Sequence, residues 1–152
     1  MNIDSKISRP PTAVRGRGET ILVIEDEPGV REMVRMLLES RGFRALVAED
    51  GPDGLALYRQ HQQAVKAIIT DMRMPAMHGV EVIHELRQIN PDARIVAMSG
   101  VVEANLKYVD EPGRLVHLPK PMTSSELVIA LQSVLVKPAE IPQTASLRPF
   151  AV

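Results

Sequence analysis

Short apolar runs alternate with segments of helical period along this chain, and that alternation restricts the fold more than any other feature. The apolar runs cover residues 20–24, 44–48, 67–70, 94–98 and 115–118. Runs this short, bounded by turn residues, fit parallel strands buried on both faces. Pro28 opens the first helical segment, and Gly42 closes it, as helix-start and helix-stop preferences require. Within it Val30, Met33, Val34, Leu37 and Leu38 recur at helical spacing, which predicts an inward stripe. Met33, Met36 and Met98 read as core filler.

Turn signals at 50–52 and 90–92 separate further helices around Leu55 and Tyr58, over 80–89, over 101–109 and over 124–136. Thr123 or Ser124 is suited to cap the last of these. Strand then helix, repeated five times, predicts an α/β fold: a doubly wound five-stranded parallel sheet with helices on both faces.

Bulk properties narrow the possible functions. A length of 152 residues suits one domain. Apolar residues at 45% and a net charge of −1 suggest a globular protein without a bulk electrostatic partner such as nucleic acid or an anionic membrane. The chain has no cysteine, which excludes disulfides and thiolate metal sites and fits a cytoplasmic setting. No apolar run approaches the roughly 20 residues that span a bilayer. Residues 1–18, with Pro10, Pro11 and three arginines, read as a flexible arm. Residues 138–152, with three prolines, read as a tail, which leaves 19–137 as the folded domain.

In an open parallel sheet, ligands gather at the carboxyl ends of the strands. Glu25, Asp26 and Glu27 follow the first strand, Asp71 the third and Ser99 the fourth; His117 and Lys120 lie at the end of the fifth. Carboxylates crowded on one rim repel one another unless a cation relieves them. Mg²⁺ (or Mn²⁺) suits such an all-oxygen set, and no competing His or Cys ligand set is present. Lys120 adds a fixed positive charge, and Ser99 adds a hydroxyl donor. A carboxylate in that company can attack phosphorus. Acids stand where a nucleotide-binding fold would place a glycine-rich phosphate loop, which argues against that class. A phosphohydrolase with an aspartyl nucleophile is a weak rival, because Arg73 occupies the position where a second Asp is common.

The segments 21–28 (ILVIEDEP), 71–79 (DMRMPAMHG), 98–100 (MSG) and 118–121 (LPKP) together resemble the response-regulator receiver family of two-component signalling. The resemblance implies a flavodoxin-like (βα)5 fold with strand order 2-1-3-4-5, the order of the chemotaxis receiver in that family. It implies a phosphoacceptor role for Asp71, and metal ligation by Asp26, by Asp71, by Glu25 through water and by the backbone carbonyl of Arg73. Ser99 and His117 take the positions of the switch residues, and Lys120 that of the lysine paired with the phosphoryl group. The Lys120–Pro121 bond resembles one that is usually cis.

The implied protein is a stand-alone receiver, a phosphoacceptor switch rather than an enzyme. Its partners would be a sensor histidine kinase or histidine phosphotransfer protein and a downstream protein. The latter would dock on the face formed by the fourth helix, the fifth strand and the fifth helix (the family's α4–β5–α5 face). The assembly expected is a monomer or weak homodimer. A pseudo-receiver that binds without phosphorylation is the alternative. Departures from the commonest pattern are Glu25 for Asp, His78 for a small acid or amide, His117 for Tyr or Phe, and the whole of 101–114.

Overall fold

The computed structural model of the protein describes residues 15–100 and 113–135. Five strands, β1 (Thr20–Ile24), β2 (Arg44–Ala48), β3 (Val65–Asp71), β4 (Ile95–Ser99) and β5 (Leu115–Pro119), form one parallel sheet in the order β2-β1-β3-β4-β5. Four helices lie among the described residues: α1 (Pro28–Ser40), α2 (Gly51–His61), α3 (Gly79–Ile89) and α4 (Ser124–Leu135). The helix expected over 101–109 lies outside the described residues. The expected fold class and strand order are both present. No helix among the described residues is long and apolar enough to cross a membrane.

The period-two geometry of the strands divides the core. Leu22, Ile24, Ile68, Ile95 and Ala97 face one side, where Leu55, Tyr58, Val82, Ile83 and Leu86 of α2 and α3 cover them. Ile21, Val23, Ile69, Val96 and Met98 face the other, under Val34 and Leu38 of α1 and Leu127, Leu131 and Val134 of α4. Neighbouring residues of β1 thus serve opposite cores, which is why that run shows no polar alternation.

Local chemistry fixes the helix ends. Gly42, with φ +87°, lets Phe43 and Gly42 donate to the carbonyls of Leu38 and Glu39 at the end of α1. These are the paired bonds of a Schellman ending, with Phe43 and Leu38 in the same core. Asp50 caps α2 through the N–H of Asp53 at 2.8 Å. Thr123, rather than Ser124, caps α4: its hydroxyl accepts from the Glu126 N–H, and its own backbone N–H donates to the Glu126 carboxylate, a reciprocal capping box.

Two expectations change. Met33 and Met36 are 53% and 58% exposed, so they do not fill the core; Met98 does. Burial on α1 centres on Val34 and Leu38. At about 100° per residue, Met33 lies roughly 120° and Met36 roughly 180° from that line. Gly16 and Gly18, read by composition as part of the arm, donate to the carbonyls of Arg41 and Gly42, and so line the turn between α1 and β2.

This orientation of α1 predicts an asymmetry. Leu38→Ala should lower the unfolding free energy by about 2–5 kcal/mol, and Met36→Gln by no more than about 0.5 kcal/mol. Urea denaturation followed by circular dichroism measures both, and equal losses would contradict the packing described.

Candidate functional site

The strand order brings the ends of β1, β3, β4 and β5 to one rim, and each end delivers a polar residue there. Glu25 directly follows β1 and is fully buried; its N–H donates to the Ala48 carbonyl at 3.1 Å. Asp71 is the last residue of β3 and Ser99 the last of β4, each 4% exposed. Both therefore belong to strands, not to the loops that follow. Lys120 directly follows β5, and its N–H donates to the Ser99 carbonyl at 2.7 Å, which extends the ladder by one bond. The Lys120–Pro121 bond is cis, as the resemblance implied.

The side chains converge. Lys120 Nζ lies 3.3 Å from Asp71 Oδ1 and 3.5 Å from Glu25 Oε2. One carboxylate oxygen from each of Glu25, Asp26 and Asp71 lies within 4.8 Å of the others. Asp71 Oδ1 also accepts the N–H of Arg73 at 3.3 Å, which sets the Arg73 peptide beside the acids. Ser99 sits between the strands that carry Asp71 and Lys120. His117 is half-buried in β5 opposite Ala97, away from the strand end. Met74 is buried and Met77 packs against the core, so both pack the loop after Asp71. His78 stands exposed at the start of α3.

Burial dominates the electrostatics. Loss of water raises the Glu25 carboxyl from 4.5 to about 7, with the Asp71 charge adding to the rise; Lys120 and the Glu27 N–H oppose it. Asp71 is raised by burial against the opposing pull of the Arg73 N–H and Lys120. Burial alone would lower Lys120, but the carboxylates of Glu25 and Asp71 outweigh it and hold the ammonium above its usual value. With all three acids ionised, the one ammonium would leave two negative charges in the cleft.

That excess, and its donors, fit a divalent cation. All the ligand atoms are hard oxygens. Glu25 Oε2 is buried without a hydrogen bond among the described residues, with the Lys120 ammonium 3.5 Å away. Such an atom has unused accepting capacity, suited to a metal-bound water. The residues present therefore fit Mg²⁺ or Mn²⁺.

Sequence reasoning missed one contributor. Arg31, in the first turn of α1, donates from Nη1 to the Glu25 carbonyl at 2.9 Å. A cation at a helix N-terminus opposes the helix dipole, and that was the signal that could have drawn attention to it.

A family model described as the response regulator receiver domain matches residues 21–132. A response regulator receiver protein of Anaeromyxobacter sp. strain Fw109-5 is 36% identical over 102 residues, which cover 66% of this chain and 42% of that protein. The chain spans about half or less of the length of the first curated relatives it matches. Among solved structures, a response regulator receiver domain protein from Clostridium thermocellum aligns with a TM-score of 0.68 at 28% identity, covering 76% of this chain and 93% of that one. The response regulator TrrA from Thermotoga maritima, solved in complex with Mg(2+)-BeF, aligns with a TM-score of 0.64 at 28% identity over 77% and 99% of the two chains.

The raised Glu25 carboxyl gives a signed pH prediction. A group that binds its proton more tightly when folded makes stability fall as pH rises through the interval between its unfolded and folded values, here from 4.5 to about 7. In EDTA, Glu25→Gln should melt a few degrees above wild type at pH 8, with the gap closing toward pH 5. A gap of the same size at both pH values would contradict burial of the charge as its cause.

Proposed function

The chain belongs to the response regulator receiver family of two-component signalling, and from that premise we propose that it takes up a phosphoryl group on Asp71 from a partner's phosphohistidine. A carboxylate oxygen of Asp71 attacks phosphorus. The P–N bond breaks, its electron pair returns to the imidazole nitrogen, and a P–O bond forms, giving an acyl phosphate on Asp71. Asp26, Asp71 and the Arg73 carbonyl would hold Mg²⁺, with Glu25 reaching it through water. When bound, the ion supplies positive charge to the phosphoryl oxygens.

The chain's own groups do the rest. The backbone N–H of Arg73 and the ammonium of Lys120 orient Asp71 before the transfer. Lys120 then stabilises negative charge on the transferred group, and the Ser99 hydroxyl donates to one of its oxygens. Because an acyl phosphate is a reactive anhydride, water later cleaves it and frees Asp71. The phosphorylated state is read through movement of Ser99 and His117, which shifts the face made by β5 and α4 toward a form that a downstream protein binds better. Receiver domains of this family are phosphoacceptor switches and work with histidine kinases and phosphotransfer proteins; the proposal assigns this chain the same kind of partner.

The single observation that carries this reading is the approach of Lys120 Nζ to both Asp71 and Glu25, at 3.3 and 3.5 Å, beside a third acid. It predicts that acetyl phosphate with Mg²⁺ adds one phosphoryl unit to the wild-type mass. EDTA or Asp71→Asn should abolish the gain, and Lys120→Ala should slow it by about 10²-fold. Wild type that stays unmodified would favour a receiver fold used only as a binding module.

A further inference from the structure

Arg31 lies in the first turn of α1, one turn from the acids, and its side chain turns back toward them. Only 17% of that side chain is exposed. Nη1 lies 2.9 Å from the carbonyl oxygen of Glu25 and 3.5 Å from that of Asp26. Nη2 faces the Glu49 carboxylate at 3.8 Å, but Glu49 is 78% exposed. An ion pair that open to water contributes about 0–1 kcal/mol, so it does not explain why the arginine is buried. The position is also electrostatically poor for a cation, because the amino end of a helix already carries partial positive charge. The two carbonyls are what the guanidinium satisfies.

Those carbonyls belong to the two residues whose carboxylates face Asp71. The Glu25 peptide is held on both sides: its N–H donates to Ala48 on β2 at 3.1 Å, and its carbonyl accepts from Arg31. Its side chain also accepts the Glu27 N–H at 3.3 Å. The backbone of Arg31 in turn donates to the Glu27 carbonyl at 2.9 Å, so the same residue opens the helix and grips the loop before it. Both carbonyl contacts come from Nη1, whose two N–H bonds diverge in the fixed plane of the guanidinium, whereas a lysine ammonium is a point donor on a flexible stem.

We propose that Arg31 is the positioning residue of this site: it ties the carbonyls of Glu25 and Asp26 to the first turn of α1 and thereby aims both carboxylates at Asp71 for a divalent cation. This rests on the reading that these acids bind such a cation. Arg31 does not touch the cation or the reacting atoms. It acts by removing alternative conformations of the loop between β1 and α1, and so by reducing what binding must order. Residues that orient metal ligands typically change metal affinity by about 10–100-fold when removed.

The test is Mg²⁺ titration by calorimetry of wild type, Arg31→Ala, Arg31→Lys and Glu49→Gln, with thermal melting in EDTA as the fold control. Arg31→Ala should raise the Kd at least tenfold while keeping a cooperative melt, and phosphoryl uptake from acetyl phosphate should recover toward the wild-type plateau at saturating Mg²⁺. Arg31→Lys should raise the Kd several-fold, because the charge remains and the two-carbonyl grip does not. It carries the test alone if the alanine variant loses its cooperative melt. Glu49→Gln should bind as wild type does. Arginine variants that fold and bind Mg²⁺ within twofold of wild type would overturn the role given to Arg31 and leave the cation site intact. A wild-type protein that shows no binding would instead overturn the cation site itself.

Discussion

One ammonium shared by two buried carboxylates holds this molecule's chemistry together. Asp71 and Glu25 are almost removed from water, and each would be costly to ionise alone. Lys120 is close enough to both to offset part of that cost, and its own charge is held in place by them. Asp26 adds a third acid that the single lysine cannot balance. The cleft is thus left with an electrostatic excess, and that excess is the physical basis of the proposed cation-dependent nucleophile.

The fold explains how residues so distant in sequence come to share a volume this small. A parallel sheet sends every carboxyl end to the same rim, and the order β2-β1-β3-β4-β5 places the strands of Glu25, Asp71, Ser99 and Lys120 side by side. Backbone bonds continue past the strand ends, from Met72 to Met98 and from Lys120 to Ser99, so the polar residues inherit the rigidity of the sheet. Two apolar cores on opposite faces lock that sheet. Sites borne on strands are held more precisely than sites on loops, and here the carbonyl side of Glu25 and the residue after it, Asp26, lie past the end of the ladder. Arg31 lies against that stretch.

Much of this was legible in the sequence, for identifiable reasons. The continuous apolar character of residues 21–24 follows from burial on both faces, and the acids after it stand where a parallel sheet puts its ligands. Asp50, Gly42 and Thr123 act at helix ends as their chemistry suggests. Met33 and Met36 misled because an apolar residue at helical spacing need not lie on the packed arc, and only the angular position of Val34 and Leu38 fixes that arc. The sequence places Asp71 and Ser99 just after their strands, because polar side chains close a hydrophobic run before the backbone ladder itself ends. The partners of Arg31 are main-chain carbonyls, which no residue pattern displays; its charge at a helix N-terminus is the one sign the sequence carries. The helix expected over 101–109 falls outside the described residues.

The central claim is that Glu25, Asp26 and Asp71 form one cation site beside Lys120. Anomalous scattering from crystals soaked in Mn²⁺ tests it most directly. The account predicts a peak in the cleft, against the carboxylates of Asp26 and Asp71 and within one water of Glu25, that is lost in Asp26→Asn crystals. A cleft without manganese at a concentration that fills other sites, or a peak that persists unchanged in the Asp26→Asn crystals, would contradict it.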